Sequence, residues 1–162
     1  MLTLVAGVHG SWAAESPAPP AARRIILTVT GEVGEAAGKG GAVDFTLDEL
    51  ERLGTVELVT TTPFTQGSVR FTGVQLQRVL EVVKARGSVV RATALNDYAV
   101  DIPREDATTH GAVLATRVDG KPLPIRDKGP LWIVYPWSGR PELEVPVYGS
   151  RSIWQLRSLE LR

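Results

Sequence analysis

The sequence predicts an α+β domain built from many short strands and two short helices. Three observations carry that expectation. Short runs rich in β-branched residues alternate in polarity and are separated by Gly, Pro and Asn-Asp turns. Two stretches show the apolar spacing of an amphipathic helix. The chain has 162 residues, 43% of them hydrophobic, which suits a single packed core.

The elements follow in order. Residues 24–30 alternate and read as a strand, and the five glycines of 31–41 as a loop. Residues 43–45 form a short strand. Thr46-Leu-Asp-Glu49 fits a capping box, with Leu47, Leu50 and Leu53 on one helical face and Gly54 as the stop. Residues 55–61 read as a strand, 63–68 as a loop and 69–71 as a strand ending in a turn at Gly73. Leu76, Val79, Leu80 and Val83 set an amphipathic helix over 75–85, with Gly87 as its cap. Residues 89–95 and 98–102 are strands around an Asn96-Asp97 turn, and 103–107 a proline-initiated helical turn. Asp119-Gly120 supplies the positive φ of a hairpin joining 113–118 to 121–123. Residues 131–135 are a buried strand, 136–149 a long Pro/Gly loop, and 153–161 a closing strand, with one helical turn ahead of it as the alternative.

Composition narrows the function. Lys plus Arg and Asp plus Glu are both 18, so the net charge is zero, and no like-charge run is present. A nucleic-acid or anionic-membrane surface needs a clustered positive field and is not expected. No cysteine is present, which excludes disulfides, thiolate catalysis, zinc-thiolate sites and iron–sulfur clusters. Residues 2–8 are apolar, and Ser11 and Ala13 stand where a signal peptidase reads small residues. Residues 1–13 therefore read as a partial signal peptide, 14–22 as a Pro/Ala linker and 23–162 as the domain, with a periplasmic or secreted destination. The first basic residue is Arg23, so the usual basic n-region is missing. No later stretch is long and apolar enough to span a bilayer.

Three segments carry a family resemblance. They are Phe71-Thr-Gly-Val-Gln-Leu76 entering a helix, Asn96-Asp-Tyr-Ala-Val-Asp-Ile-Pro103, and a third group near the end. That group runs from Asp119-Gly-Lys-Pro-Leu123 through Lys128-Gly-Pro-Leu-Trp-Ile-Val-Tyr-Pro136 to Arg151-Ser-Ile-Trp-Gln-Leu156. Together they resemble the molybdopterin-binding domain shared by sulfite oxidase, plant nitrate reductase and the periplasmic methionine-sulfoxide reductase catalytic subunit. The resemblance spans roughly residues 24–162, one domain by length. It implies the mixed α/β sulfite oxidase fold.

The departures from that pattern bear on function. The resemblance implies a molybdenum-binding cysteine near Thr61 or Thr62, and a threonine hydroxyl is a poor substitute for a thiolate. Trp132 follows Gly-Pro-Leu where the family commonly has arginine. Arg151-Ser-Ile-Trp154 lacks the lysine that the family carries before its tryptophan. A pterin pyrophosphate is anionic and needs such donors. The chain also resembles short exported members with Gly-Pro-Leu-Trp and Ser-Ile-Trp-Gln-Leu in these places.

The candidate cofactor-binding residues are accordingly Thr61, Thr62, Asn96, Tyr98, Arg104, Trp137, Arg140, Arg151 and Trp154, with no catalytic or metal-ligating residue. Thr60, Thr61 and Thr62 either line a vacated polar pocket or simply end a strand. Asn96 either faces a ligand or serves its own turn. Arg104, Arg140 and Arg151 either hold an anion or pair with Glu105, Asp106, Glu142 or Glu144. Trp132, Tyr135, Tyr148 and Trp154 offer core packing or an aromatic pocket, and Trp137, in a Pro/Gly loop, is expected to be exposed. His110 has no Gly-x-Ser-x-Gly partner for a triad, and the glycines of 31–41 lack a dinucleotide fingerprint. Glu49 and Glu51 read as a solvated helix face.

The preferred reading is a non-catalytic exported domain that binds a small anionic ligand or a periplasmic partner protein. The alternatives are a molybdopterin-dependent oxidoreductase with non-cysteine metal coordination and an interaction module for a membrane-associated redox complex. The cofactor is left open: the resemblance allows molybdopterin, and the missing thiolate argues against molybdenum.

Overall fold

The computed structural model describes residues 23–34 and 41–162. The expected signal segment and linker, 1–22, lie outside the described residues, as does part of the glycine-rich loop. In chain order, β1 (Leu27–Gly31) and β2 (Val43–Phe45) precede α1 (Leu47–Glu51), β3 (Thr55–Thr60) and β4 (Val69–Gln75). Next come α2 (Leu76–Val82), β5 (Val89–Ala94), β6 (Ala99–Pro103), α3 (Asp106–Thr109), β7 (Val113–Val118) and β8 (Lys121–Pro122). The chain closes with β9 (Trp132–Val134), a 3-10 turn (Pro141–Leu143), α4 (Pro146–Arg151) and β10 (Leu156–Leu161).

The strands form two five-stranded sheets. One has the order β2-β1-β10-β5-β6, with β1 and β10 parallel and the other neighbours antiparallel. The second runs β3-β4-β7-β8, with β9 also on β7. Alternation buries Leu27 and Val29 on β1, Val90, Ala92 and Ala94 on β5, and Leu159 and Leu161 on β10. These join Leu76, Val79, Leu80 and Val83 of α2 and Trp132, Ile133 and Val134 of β9 in one apolar core. The fold is α+β, as the sequence predicts.

Local chemistry explains where elements begin. The Thr46 hydroxyl accepts the Glu49 N–H, and the Glu49 carboxylate accepts the Thr46 N–H at 2.9 Å, completing the capping box. Asp97 (φ 66°) forms the β5–β6 turn, with Asn96 Oδ1 accepting the Tyr98 N–H. Asp119 (φ 48°) and Gly120 (φ 79°) make the β7–β8 turn.

Several expectations are corrected. Among the described residues there are four short α-helices and a 3-10 turn, not two helices. The 136–149 stretch is not a plain loop, because Pro141 and Pro146 each start a helical turn, as proline at a first helical position does. The closing strand accordingly begins at Leu156 rather than at 153. Gly73 is not a turn but lies inside β4 at a register shift against β7. A Cβ there would sit 2.2 Å from the Leu114 carbonyl oxygen, so the glycine permits close strand approach. The second helix stops at Val82, with Lys84 (φ 51°) taking the left-handed position assigned to Gly87. Gly87 instead lets Arg162 pack against it. Glu51 is not a solvated helix residue: Arg117 grips its carboxylate with two N–H groups at 2.8 and 2.9 Å, and Thr116 adds a third donor.

Candidate functional site

Six of the predicted site residues line clefts beside α4, but they do not converge on one point. Pro146 and Gly149 of α4 line two separate clefts. The larger, about 540 Å³, also takes in Phe64, Asn96, Tyr98, Ser152 and Trp154. The smaller, about 350 Å³, takes in Thr61, Thr62, Trp137 and Leu143. Asn96, Tyr98 and Trp154 therefore share one cleft and Thr61, Thr62 and Trp137 the other.

The larger cleft is aromatic. Phe64 stacks edge-on against Trp154 with ring centroids 4.9 Å apart, and Trp154 packs edge-on against buried Trp132 at 6.3 Å. Tyr98 is half exposed and leans toward the α4 backbone, its hydroxyl 3.5 Å from the Ser150 carbonyl. The isolated bridge between Trp132 and Trp154 ties this wall to β9. Sequence reasoning missed Phe64. Its signal was an apolar side chain in an otherwise polar loop.

The threonine segment is closed by the chain itself. Thr60 Oγ1 accepts the Ser138 N–H at 2.9 Å, and Ser138 Oγ accepts the Thr61 N–H at 2.9 Å. Thr61 Oγ1 lies 3.4 Å from Ser138 Oγ, and Thr62 Oγ1 accepts the Phe64 N–H at 3.1 Å. Ser138, which the sequence reading did not single out, thus locks the end of β3 to the 136–140 loop. Trp137, expected to be exposed, is only 5% exposed: its indole N–H donates to the Leu143 carbonyl at 2.9 Å and its ring packs on Tyr135. The 3-10 turn folds back over it, which a Pro/Gly composition does not reveal.

The three arginines do not form an anion cradle. Arg151 pairs with Asp106 at 3.0 Å, and Arg140 with Glu142 at 2.8 Å. Arg104 is exposed and lines neither cleft. Asp106 is buried, and its Oδ2 also accepts the Tyr135 hydroxyl at 2.9 Å. Burial first, and then the Asp106 charge, push the Tyr135 hydroxyl well above the usual phenol range, so it stays a proton donor. His110 completes this internal network, with Nε2 3.0 Å from the Tyr148 hydroxyl and Nδ1 3.4 Å from Arg140 Nη2.

The residues present do not fit a molybdenum–pterin group. The threonine hydroxyls where the family's cysteine is expected are held by Ser138, Thr65 and the backbone. Among the described residues, neither cleft is lined by a lysine or arginine to meet a pyrophosphate. The candidate cations Arg140 and Arg151 are paired with their own carboxylates, and Lys128 Nζ lies 5.6 and 5.9 Å from the Trp132 and Trp154 ring centres.

One mixed and one antiparallel sheet joined by short helices make an α+β domain consistent with the sulfite oxidase-like class. More particularly, it belongs to the oxidoreductase molybdopterin binding domain family, which it matches over residues 16–161. Comparison with curated proteins found no match. Among the described residues, no helix is long and apolar enough to cross a membrane.

Proposed function

We propose that this chain is an exported, non-catalytic member of its family that binds an uncharged, ring-bearing ligand in the aromatic cleft beside α4. The observation that carries the reading is the pairing of chemistry lost and chemistry kept. The metal-binding position holds neutral threonines, Thr61 exposed and Thr62 bonded to Thr65 and the Phe64 N–H, while Phe64, Tyr98 and Trp154 leave an open apolar concavity. Its volume lies within the range of small-molecule sites, roughly 300–1,000 Å³. Asn96 and Ser150 supply the few polar groups that orient a bound ring. The apolar run 2–8 with small residues at 11 and 13 supports export.

The arginine pairings argue against the small anion expected from the sequence, because an anion would have to displace Asp106 or Glu142. The test is a binding titration followed by NMR on the full chain, with neutral aromatic compounds in one series and inorganic phosphate or sulfite in the other. The reading expects the Trp154 indole signal to shift with the neutral series. Saturable shifts of Arg140 and Arg151 with the anions, and none at Trp154 with the rings, would overturn it. Fractionation of cells that produce the protein from its natural gene checks export.

A further inference from the structure

His110 sits where one proton changes the balance of a buried network. It caps the C-terminal end of α3, and its ring lies between Arg140 and Tyr148. A guanidinium only donates hydrogen bonds, so Nδ1, 3.4 Å from Arg140 Nη2, is the acceptor and Nε2 carries the proton toward Tyr148. This is the neutral tautomer.

The charges around the ring are already matched. From α3 comes Asp106, engaged with Tyr135 beyond β9 and with Arg151 of α4. From the 3-10 turn and its cap come Glu142 and Arg140, engaged with each other. Tyr148 of α4 contributes a neutral hydroxyl, with the Arg151 guanidinium 5.5 Å from its ring centre. Two cations face two carboxylates. A proton on Nδ1 adds a third cation to two carboxylates, with Glu142 the one it shares with Arg140, and sets an N–H against an N–H of Arg140.

Arg140 is also the hinge post of the loop it starts. Its carbonyl accepts the Leu143 N–H, its N–H donates to the Trp137 carbonyl, and its Nη1 donates to the His110 carbonyl at 3.1 Å. Leu143 in turn holds the Trp137 indole and walls the smaller cleft.

We propose that His110 is an acid-sensitive latch: its protonation repels Arg140 and releases the Pro141–Leu143 turn, opening the smaller cleft over Trp137 and Thr61. The bond to Tyr148 survives protonation, because Nε2 is the donor in both states, so α4 and the larger cleft stay in place. The latch is independent of what the larger cleft binds.

The test follows the His110 ring and the Trp137 indole by NMR on the full chain from about pH 8 to 5. The Trp137 indole signal is expected to move with the same midpoint as the His110 ring, while α4 amides stay still. In Arg140→Gln the ring still titrates and the Trp137 response is lost; in His110→Gln the response is lost as well. A Trp137 signal that stays fixed through the His110 transition, or that moves unchanged in Arg140→Gln, overturns the proposal. If His110→Gln does not fold, Arg140→Gln decides alone.

Discussion

The Tyr135 hydroxyl and the Arg151 guanidinium meet on one oxygen, Oδ2 of Asp106, at 2.9 and 3.0 Å. The shared oxygen joins α3, the end of β9 and α4. Tyr135→Phe removes one donor from a buried carboxylate and leaves its charge in place. The variant is expected to lose about 1–3 kcal/mol of stability, read from urea denaturation midpoints at unchanged m. A loss below experimental error would show that the network is incidental.

Strand spacing gives a sharper test. Gly73→Ala forces a methyl toward the Leu114 carbonyl and is expected to cost about 3 kcal/mol or prevent folding. Gly149→Ala, whose methyl would meet only the Phe64 ring edge at 3.8 Å, is expected to be tolerated. Thermal melts of the two variants compare the positions directly.

Acid stability follows from Glu49 and Glu51. The Thr46 N–H first, and then Arg23, hold the Glu49 carboxyl down at about 2 from the usual 4.5. Arg117 first, and then Thr116, lower Glu51 in the same direction, against some burial. A depressed carboxyl stabilises the fold fully above 4.5, and that contribution is lost as pH falls toward 2. Glu49→Gln is therefore expected to melt below the wild type near neutral pH, with the gap closing across that window. A gap independent of pH would contradict the assignment.

The aromatic cleft predicts a separation of binding from folding. Trp154 is 37% exposed, so Trp154→Ala is expected to fold and to abolish the shifts that neutral ring compounds cause at Tyr98. Trp137→Ala, at 5% exposure, removes a buried ring and is expected to cost about 3–5 kcal/mol. Circular dichroism melts and ligand titrations distinguish the two.

Much of the fold was legible because its signals are local. The capping box at Thr46–Glu49, the Asn96-Asp97 turn and the Asp119-Gly120 hairpin each depend on two to four neighbouring residues. The site was less legible because its contacts are distant in sequence. Ser138 meets Thr60 across 78 positions, and Arg151 meets Asp106 across 45. Glycine misled twice for the same reason: Gly73 and Gly87 serve close approach by remote backbone, which a composition rule reads as a turn or a cap. Trp137 misled because a later segment of the chain covers it.

Cofactor content tests the central claim most directly. The chain is produced behind a complete signal peptide in a bacterium that makes molybdenum cofactor, purified from the periplasm, and assayed for molybdenum by elemental analysis and for pterin by fluorescence after oxidation. With threonines in place of the thiolate and no cationic side chain lining either cleft among the described residues, both are expected at background. Near-stoichiometric pterin, with or without the metal, would contradict the account.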